Sequence, residues 1–329
     1  MSIDIPAATH GSLAPHHLIY FITGNPGLIG YYDTFLHTLH QLLSGSREDC
    51  SERDLFHVYG QSLAGFEEDL PQTSHRENTI PYSLEEVIDI SLESLQEQRI
   101  RSGARKGQVF DSVILIGHSV GSYILLEIIR RLRSETSETN IRAGILLFPT
   151  VTHIAQSPSG AKISTLFEVP DFPRRASAAA AALIRLTPTS MLRWLVGLVT
   201  RMPEDSAAVT TRFLTSKMGI WQALHMAKDE MDTITEDKWD EDIWGIEHQN
   251  VDSKLEIPKL VFYFGENDHW VASHTRDTLI AARASGDQEM SSSRPIMLID
   301  ENSIPHGFCI RHSEGIAEKV AGWIQTIFS

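Results

Sequence analysis

Residues 113–124, VILIGHSVGSYI, constrain the fold of this chain more than any other stretch. Four apolar residues that favour β-strands run directly into Gly-His-Ser-Val-Gly, and a helical pattern follows. The block matches G-x-S-x-G, a pattern in which a strand turns sharply into a helix and presents a serine at the turn. Because five residues can match by chance, the rest of the sequence must decide whether Ser119 has this role.

Short β-rich runs alternate with helical patterns along most of the chain. We predict six strands, which cover residues 17–23, 54–60, 112–117, 143–149, 259–265 and 294–300. The helix between the second and third strands begins with a capping box, because Ser83 is followed three residues later by Glu86. Strands and helices that alternate in this way predict an α/β protein with a mainly parallel sheet and helices on both faces.

Residues 150–256 interrupt this alternation. They are rich in helix-forming residues, as in SAAAAALIRL and SMLRWLVGLVTRM, and aromatic and aliphatic residues occur throughout. An insertion of this kind after one strand of an α/β sheet predicts a helical cap or lid on the side where ligands bind. We therefore expect a core formed by residues 1–149 and 257–329 and a cap formed by residues 150–256.

Candidate catalytic side chains follow three of the predicted strands. Acyl transfer by a serine requires the nucleophile, a base, a residue that orients the base, and donors for the oxyanion. Ser119 would be the nucleophile, His306 the base and Asp268 the residue that orients the base. Each comes just after a strand, in the chain order serine, acid, histidine that α/β-hydrolases use. The combination predicts an α/β-hydrolase fold with a serine hydrolase site.

Two other carboxylates leave the choice of the acid open. Glu266 lies in the same loop as Asp268 and is its nearest rival. Asp300, at the tip of the last predicted strand, could orient His306 instead. Asp268 is favoured because Gly-x-x-Asp beyond a strand is where this fold places the orienting carboxylate.

The oxyanion needs two N–H donors close to the serine. One would be the backbone N–H of Val120, immediately after the nucleophile. The other would come from the loop TGNPG after the first strand, where Asn25 can present its backbone N–H and its side-chain amide is a possible third donor. Pro26 has no N–H and cannot donate.

Four segments together resemble one known family. GNPGLIGYYDTF after the first strand, GHSVGSY at the turn, YFGENDHWV and HGF are similar to the lipid-droplet-associated serine hydrolases of the α/β-hydrolase superfamily. The similarity covers residues 17–149 and 257–328 and includes the paired Tyr31 and Tyr32. It implies the same triad, association with lipid droplets and endoplasmic reticulum, and a sterol ester or neutral lipid as substrate.

Because about 16 residues precede the first strand, we expect the sheet to lack the two antiparallel strands common at the start of this superfamily.

The composition narrows the classes of partner. The net charge is −15 over 329 residues, which argues against nucleic acid because phosphate binding needs a basic face. The two cysteines, Cys50 and Cys309, give no disulfide framework. Neither a secretory signal nor a long apolar run is found, so we expect an intracellular protein, soluble or peripheral to a membrane. We expect no cofactor and no metal ion.

The segment 173–201 could face either lipid or protein. It carries five arginines among apolar residues, a composition typical of an interfacial helix on a lipid monolayer. Leu192, Trp194 and Leu195 would then face lipid, whereas an amphipathic lid helix would pack them on the core.

Two hypotheses follow for the whole protein. It is a lipid ester hydrolase that uses the triad, or a lipid-droplet binding or tethering protein whose hydrolase core is weakly active or idle.

Overall fold

The computed structural model describes residues 1–7, 14–45, 54–66, 80–134, 139–241, 243–245, 257–284 and 294–329. Seven strands lie in these residues: β1 (Ser2–Ile5), β2 (His16–Ile22), β3 (Leu55–Gln61), β4 (Ser112–His118), β5 (Ile141–Leu147), β6 (Lys259–Phe264) and β7 (Ile296–Ile299). They form one sheet in the order β1-β3-β2-β4-β5-β6-β7. β1 is antiparallel to β3, and all other neighbouring strands are parallel.

Ten α-helices of the described residues surround this sheet. They are α1 (Asp33–Ser44), α2 (Leu84–Gln96), α3 (Val120–Ser134), α4 (Pro158–Phe167), α5 (Phe172–Arg185), α6 (Thr189–Thr200), α7 (Glu204–Thr215), α8 (Gly219–Thr233), α9 (Ser273–Arg283) and α10 (Ser313–Ile327). Short 3₁₀ helices cover Ile29–Tyr32, Ile154–Gln156 and Phe308–Ile310. Helices α1 and α10 cover one face of the sheet, and α2, α3 and α9 cover the other.

The central strands are buried on both faces. Every residue of β2 and β4 is buried, as is typical of parallel strands with helices on both sides. Side chains of β2 alternate between the two faces: Leu18 and Tyr20 pack toward α2 and α3, and Ile19 and Phe21 pack toward α1 and α10. The predicted α/β architecture with a mainly parallel sheet is therefore confirmed.

In the described residues the sheet has seven strands, one more than the six predicted from the sequence. β1 pairs antiparallel with β3, with Ile3 opposite Gly60, so the expectation that antiparallel strands are missing at the start is wrong for one strand. Its sequence signal is weak because β1 has four residues and only Ile3 among them is buried. As an edge strand, β1 forms hydrogen bonds with the backbone groups on the outer side of β3.

The predicted capping box of Ser83 and Glu86 is present at the start of α2.

Among the described residues, five α-helices, α4 to α8, lie between β5 and β6, in the interval predicted as a cap. Helix α8 packs on the hydrophobic core of the sheet, because Met226 and Met231 belong to the same buried cluster as residues of β2 and α3. Helices α5 and α6 are largely exposed, although Leu192 and Val196 pack against α7. Residues 246–256 lie outside the described residues, and the division into core and cap stays a prediction.

The insertion presents an apolar patch to solvent. We define the apolar patch as six exposed side chains on α5, on α6 and between them: Leu183, Leu186, Met191, Trp194, Leu198 and Val199. Of the three residues expected to face lipid, Trp194 is exposed, Leu195 is half-buried and Leu192 is buried. The segment therefore packs on protein with one side and meets solvent with the other. None of the described helices combines the length and apolar character needed to cross a bilayer.

Candidate active site

Ser119 lies in the sharp turn between β4 and α3. Its backbone has a φ of 55°, a left-handed conformation that is uncommon outside glycine and is found often at functional sites. Two glycines make the turn possible. A Cβ atom on Gly117 would lie 2.4 Å from the carbonyl oxygen of Gly121, and one on Gly121 would lie 2.4 Å from that of Ile22. The two glycines of the G-x-S-x-G pattern are therefore a steric requirement of this turn.

His306 connects Ser119 to Asp268. Its Nε2 atom lies 2.9 Å from Oγ of Ser119, and its Nδ1 atom lies 2.7 Å from Oδ2 of Asp268. The other carboxylate oxygen of Asp268 accepts the backbone N–H of Trp270 at 2.8 Å. Because a carboxylate only accepts hydrogen bonds, Nδ1 of His306 carries the proton and Nε2 is left to accept from the serine hydroxyl. The arrangement has the geometry of a nucleophile, a base and a residue that orients the base.

Burial and hydrogen bonding act in opposite directions on Asp268. Burial raises its pKa, but the hydrogen bond and charge of His306, with the backbone N–H of Trp270, bring the pKa of Asp268 below its ordinary value. Asp268 is thus ionised at neutral pH and can stabilise a positive charge on His306. Ser119, Asp268 and His306 are all buried, so water competes little for their hydrogen bonds.

The two rival carboxylates make other contacts. Glu266 is exposed and accepts a hydrogen bond from a serine in the loop after β7 at 3.0 Å. Asp300 accepts the backbone N–H of Ile304 at 2.7 Å and that of Asn302 at 3.1 Å; the bond to the residue two positions on is common for an aspartate at the start of a turn. Asp300 therefore shapes the loop that leads to His306, whereas Asp268 takes the imidazole hydrogen bond.

Two backbone N–H groups close to Ser119 are candidates for binding an oxyanion. Val120 is the first residue of α3, so its N–H has no acceptor within the helix and lies at the positive end of the helix dipole. Gly24 packs against the turn, since a Cβ atom there would lie 3.0 Å from Cβ of Ser119. The N–H of Gly24 donates to Oη of Tyr32 at 3.2 Å, so the predicted donor in this loop stays the next amide, that of Asn25.

The side chain of Asn25 does not have the role that the sequence suggested. Its Nδ2 atom donates to the carbonyl oxygen of Ala223 at 3.0 Å and to Oε1 of Glu230 at 2.9 Å. Both acceptors belong to α8, so both amide protons are used and neither is left as a third oxyanion donor. Instead, Asn25 ties the loop after β2 to the insertion, and Glu230 is a contact that sequence reasoning missed.

Sequence reasoning also missed His118 and Tyr32 as parts of the site. Nδ1 of His118 lies 2.7 Å from Oη of Tyr32, and its Nε2 lies 2.9 Å from the carbonyl oxygen of His306. One signal was available in the sequence. His118 is a polar residue at the end of an otherwise apolar strand, and a buried polar side chain requires hydrogen-bond partners.

The described residues offer no metal centre. Within them, no group of three or more His, Cys, Asp or Glu side chains is arranged to hold a metal ion. Burial raises the pKa of the Cys309 thiol to about 12, so this group is protonated at neutral pH and is neither a thiolate ligand nor a nucleophile. Cys50 lies outside the described residues.

Solved structures show which class the fold belongs to. A juvenile hormone epoxide hydrolase from the silkworm Bombyx mori aligns with a TM-score of 0.57 at 12% identity, over 99% of this chain and 72% of that chain. A haloalkane dehalogenase from Bradyrhizobium elkani gives 0.56 at 13% identity, over 99% and 94% of the two chains. A thermophilic esterase from Thermogutta terrifontis gives 0.53 at 11% identity, over 100% and 94%. At these identities the likeness concerns the fold, which is that of the α/β-hydrolases.

Sequence comparison identifies the family within this class. The family model described as lipid-droplet associated hydrolase matches residues 15–309, and the chain belongs to this family. The lipid droplet-associated hydrolase of Gallus gallus is 27% identical over 314 residues, which are 94% of this chain and 85% of that protein. Those of Rattus norvegicus and Dictyostelium discoideum are 28% and 25% identical, over 95% and 93% of this chain and 86% of each relative. The resemblance inferred from the four sequence segments is confirmed.

Proposed function

We propose that the protein is a serine hydrolase that cleaves carboxylic esters of lipids, such as sterol esters or neutral lipids. The family is named for hydrolases, and the fold is that of the α/β-hydrolases. The observation that carries the proposal is the chain of hydrogen bonds from Ser119 through His306 to Asp268. These side chains are the nucleophile, base and orienting carboxylate that hydrolysis through an acyl-enzyme needs.

The proposed reaction has two halves. In the first, His306 takes the proton of Ser119 as Oγ attacks the ester carbonyl, and ionised Asp268 stabilises the resulting imidazolium. The N–H groups of Val120 and Asn25 donate to the negative oxygen of the tetrahedral intermediate. His306 then protonates the departing alcohol. In the second half, the same imidazole takes a proton from water, which attacks the acyl-enzyme and releases the acid.

A lipid surface is the proposed place of action. The apolar patch exposes six large side chains, and Arg185 and Arg201 are exposed at the ends of α5 and α6. Apolar side chains beside arginines are typical of helices that lie on a phospholipid surface. The curated relatives carry lipid-droplet association in their names. We therefore propose peripheral binding to the phospholipid monolayer of lipid droplets, and to the endoplasmic reticulum, whose surface is also phospholipid.

A second function, binding or tethering at the droplet with an idle hydrolase core, is favoured by one observation. Ser119 is 7% exposed, whereas Leu186 of the apolar patch is 84% exposed. The surface suited to lipid is thus open to solvent while the serine is covered. The two functions differ in whether Ser119 reacts.

Reaction with a fluorophosphonate probe tests the proposal. The wild type should be labelled and Ser119→Ala should not. Ser122→Ala is the matched control, because this neighbouring buried serine donates to the carbonyl oxygen of Gly117 and has no part in the proposed reaction. Thermal melts should show that all three proteins are folded. The wild type should also hydrolyse an emulsified sterol ester or triacylglycerol, and a folded wild type that does neither would favour tethering.

A further inference from the structure

A buried chain of hydrogen bonds runs beneath the triad and joins three loops. The backbone N–H of Gly24, in the loop after β2, donates to Oη of Tyr32 at 3.2 Å. Oη of Tyr32 lies 2.7 Å from Nδ1 of His118, the residue before the nucleophile. Nε2 of the same imidazole lies 2.9 Å from the backbone carbonyl oxygen of His306. The side chains of Tyr32 and His118 therefore connect the loop after β2, the turn at Ser119 and the loop that carries His306.

The direction of each bond follows from the atom at one end. The carbonyl oxygen of His306 can only accept, so Nε2 of His118 must carry the imidazole proton. Nδ1 of a neutral imidazole protonated at Nε2 can only accept, so the hydroxyl of Tyr32 must donate to it. The hydroxyl oxygen then accepts from Gly24. No other assignment of protons satisfies all three bonds with a neutral imidazole.

We propose that His118 and Tyr32 are positioning residues. They hold His306 and the turn at Gly24 and Asn25 at the correct distance and orientation relative to Ser119. This inference rests on the proposed serine hydrolase function. His118 fixes the backbone of His306, and the backbone fixes the distance from the imidazole to Oγ of the serine. Tyr32 ties the same network to the residue before the proposed oxyanion donor. A displacement of about 1 Å in such a site can reduce a rate about 100-fold.

The surroundings of His118 hold it in one position and one charge state. Its ring lies 5.1 Å from the ring of Phe308 and 6.2 Å from that of Phe148, centre to centre. Burial, together with the charge of His306, lowers the pKa of His118 to about 3. Burial also raises the pKa of Tyr32 well above its ordinary value. Both groups thus stay neutral at physiological pH, and the pattern of donors and acceptors does not change.

Variants can separate positioning from simple packing. His118→Phe keeps an aromatic ring among aromatic neighbours but removes both hydrogen bonds. His118→Gln keeps an N–H donor near the position of Nε2 and so retains the bond to His306. Tyr32→Phe keeps the ring and removes the hydroxyl. The matched control is His57→Gln, because His57 is a buried histidine of β3 that bonds to His16 at the opposite end of the sheet.

Two measurements are made on every variant. The first is the rate of fluorophosphonate labelling of Ser119. The second is the far-downfield proton NMR signal of Nδ1–H in His306, which reports its hydrogen bond to Asp268 and does not depend on catalysis. Thermal melting establishes that each variant is folded.

We expect His118→Phe to slow labelling by about 10- to 100-fold and to shift or broaden the downfield signal. Tyr32→Phe should also slow labelling and shift or broaden the signal. His118→Gln should label at a rate closer to that of the wild type than His118→Phe does. His57→Gln should change neither the labelling rate nor the signal. Folded His118→Phe with an unchanged rate and signal would overturn the proposal, as would a failure of glutamine to do better than phenylalanine. If the wild type does not label but the signal responds to His118→Phe and not to His57→Gln, the positioning role stands and the hydrolase function fails.

Discussion

Glu230 is a carboxylic acid at a position that water hardly reaches. Its side chain, on α8, is buried and accepts a hydrogen bond from Asn25 at 2.9 Å. Burial, and to a smaller extent the charge of Asp229, raise the pKa of Glu230 to about 8, although the hydrogen bond from Asn25 works against this shift. The carboxyl group is therefore mostly neutral at pH 7, and it holds the loop after β2 to the insertion without a buried charge.

Glu230→Gln should stabilise the protein by an amount that grows with pH. The carboxyl ionises near pH 4.5 in the unfolded chain but only near pH 8 in the folded protein. Between these values the folded state binds more protons, so the wild type loses stability as pH rises, by up to about 1.4 kcal/mol per pH unit. Glutamine still accepts from Asn25 and does not titrate. Urea unfolding at a series of pH values should therefore show a difference between the two proteins that increases up to about pH 8 and then levels off.

The exposed Glu93 of α2 provides the control for this experiment. Glu93→Gln removes the same charge from a residue in contact with water and should show no comparable increase with pH. A gain from Glu230→Gln that is the same at every pH would contradict the shifted pKa of Glu230.

Part of the site geometry could be foreseen from single residues. Ser119, Asp268 and His306 each follow a parallel strand, and the carboxyl ends of such strands meet at one edge of a sheet. The partners of Tyr32 could not be foreseen, because Tyr32 and His118 are 86 residues apart and their contact depends on how helices and loops pack. The contacts of the Asn25 side chain could not be foreseen for the same reason, since its acceptors lie on a helix of the insertion.

At the scale of one element, α6 shows why its environment could not be read from its sequence. Leu192 and Val196 are four residues apart and pack toward α7, whereas Trp194 and Leu198, also four residues apart, are exposed. Both faces of the helix are apolar, so helical periodicity alone does not tell which face is buried. Strands β2 and β4 were predictable because continuous apolar runs between helices indicate central parallel strands. β1 was not, because an edge strand with one buried residue has no such run.

Changing Trp194, Leu198 and Val199 together to Gln, Ser and Thr should release the protein from lipid. Each apolar side chain withdrawn from water contributes about 25 cal/mol per Å², so loss of three large ones should weaken binding by more than about tenfold. Co-flotation with artificial droplets of triolein coated with phospholipid measures this. Labelling of Ser119 in solution should not change, because the three residues face solvent.

The control for this triple variant alters exposed apolar residues elsewhere. Ile80 and Val109 are exposed outside the insertion, and Ile80→Thr with Val109→Thr should leave flotation unchanged. Leu192 is left intact because it is packed against α7. If the triple variant floats as well as the wild type, another surface binds the droplet.

At the scale of the whole molecule, the insertion carries the apolar patch and also contacts a loop of the candidate site. The triad side chains are buried, α8 is joined to the loop after β2 through Asn25, and α5 and α6 carry the patch. A lipid surface that binds α5 and α6 therefore acts on an insertion that is tied to a loop beside Ser119. Motions of loops and inserted elements next to a site control access in many enzymes.

Hydrolysis should rise sharply when the substrate forms an interface. With a sparingly soluble ester such as tributyrin, we expect a low rate while the ester is dissolved and a several-fold rise once an emulsion appears, because the interface binds the apolar patch and opens access to Ser119. Rates in a pH-stat across the solubility limit measure this, with Ser119→Ala as the background. A rate that saturates smoothly below the solubility limit would show that the insertion does not restrict access.

A ribosome makes the two parts of this site at different times. β5 ends at Leu147 and its neighbour β6 begins at Lys259, so residues 148–258 must be synthesised in between. At about 5–20 residues per second, this takes on the order of ten seconds. Meanwhile the edge of β5 that later pairs with β6 has no partner strand, and its unpaired backbone groups can pair with other chains. A chain that terminates early, within the insertion, carries Ser119 but lacks Asp268 and His306, two of the three residues of the proposed triad.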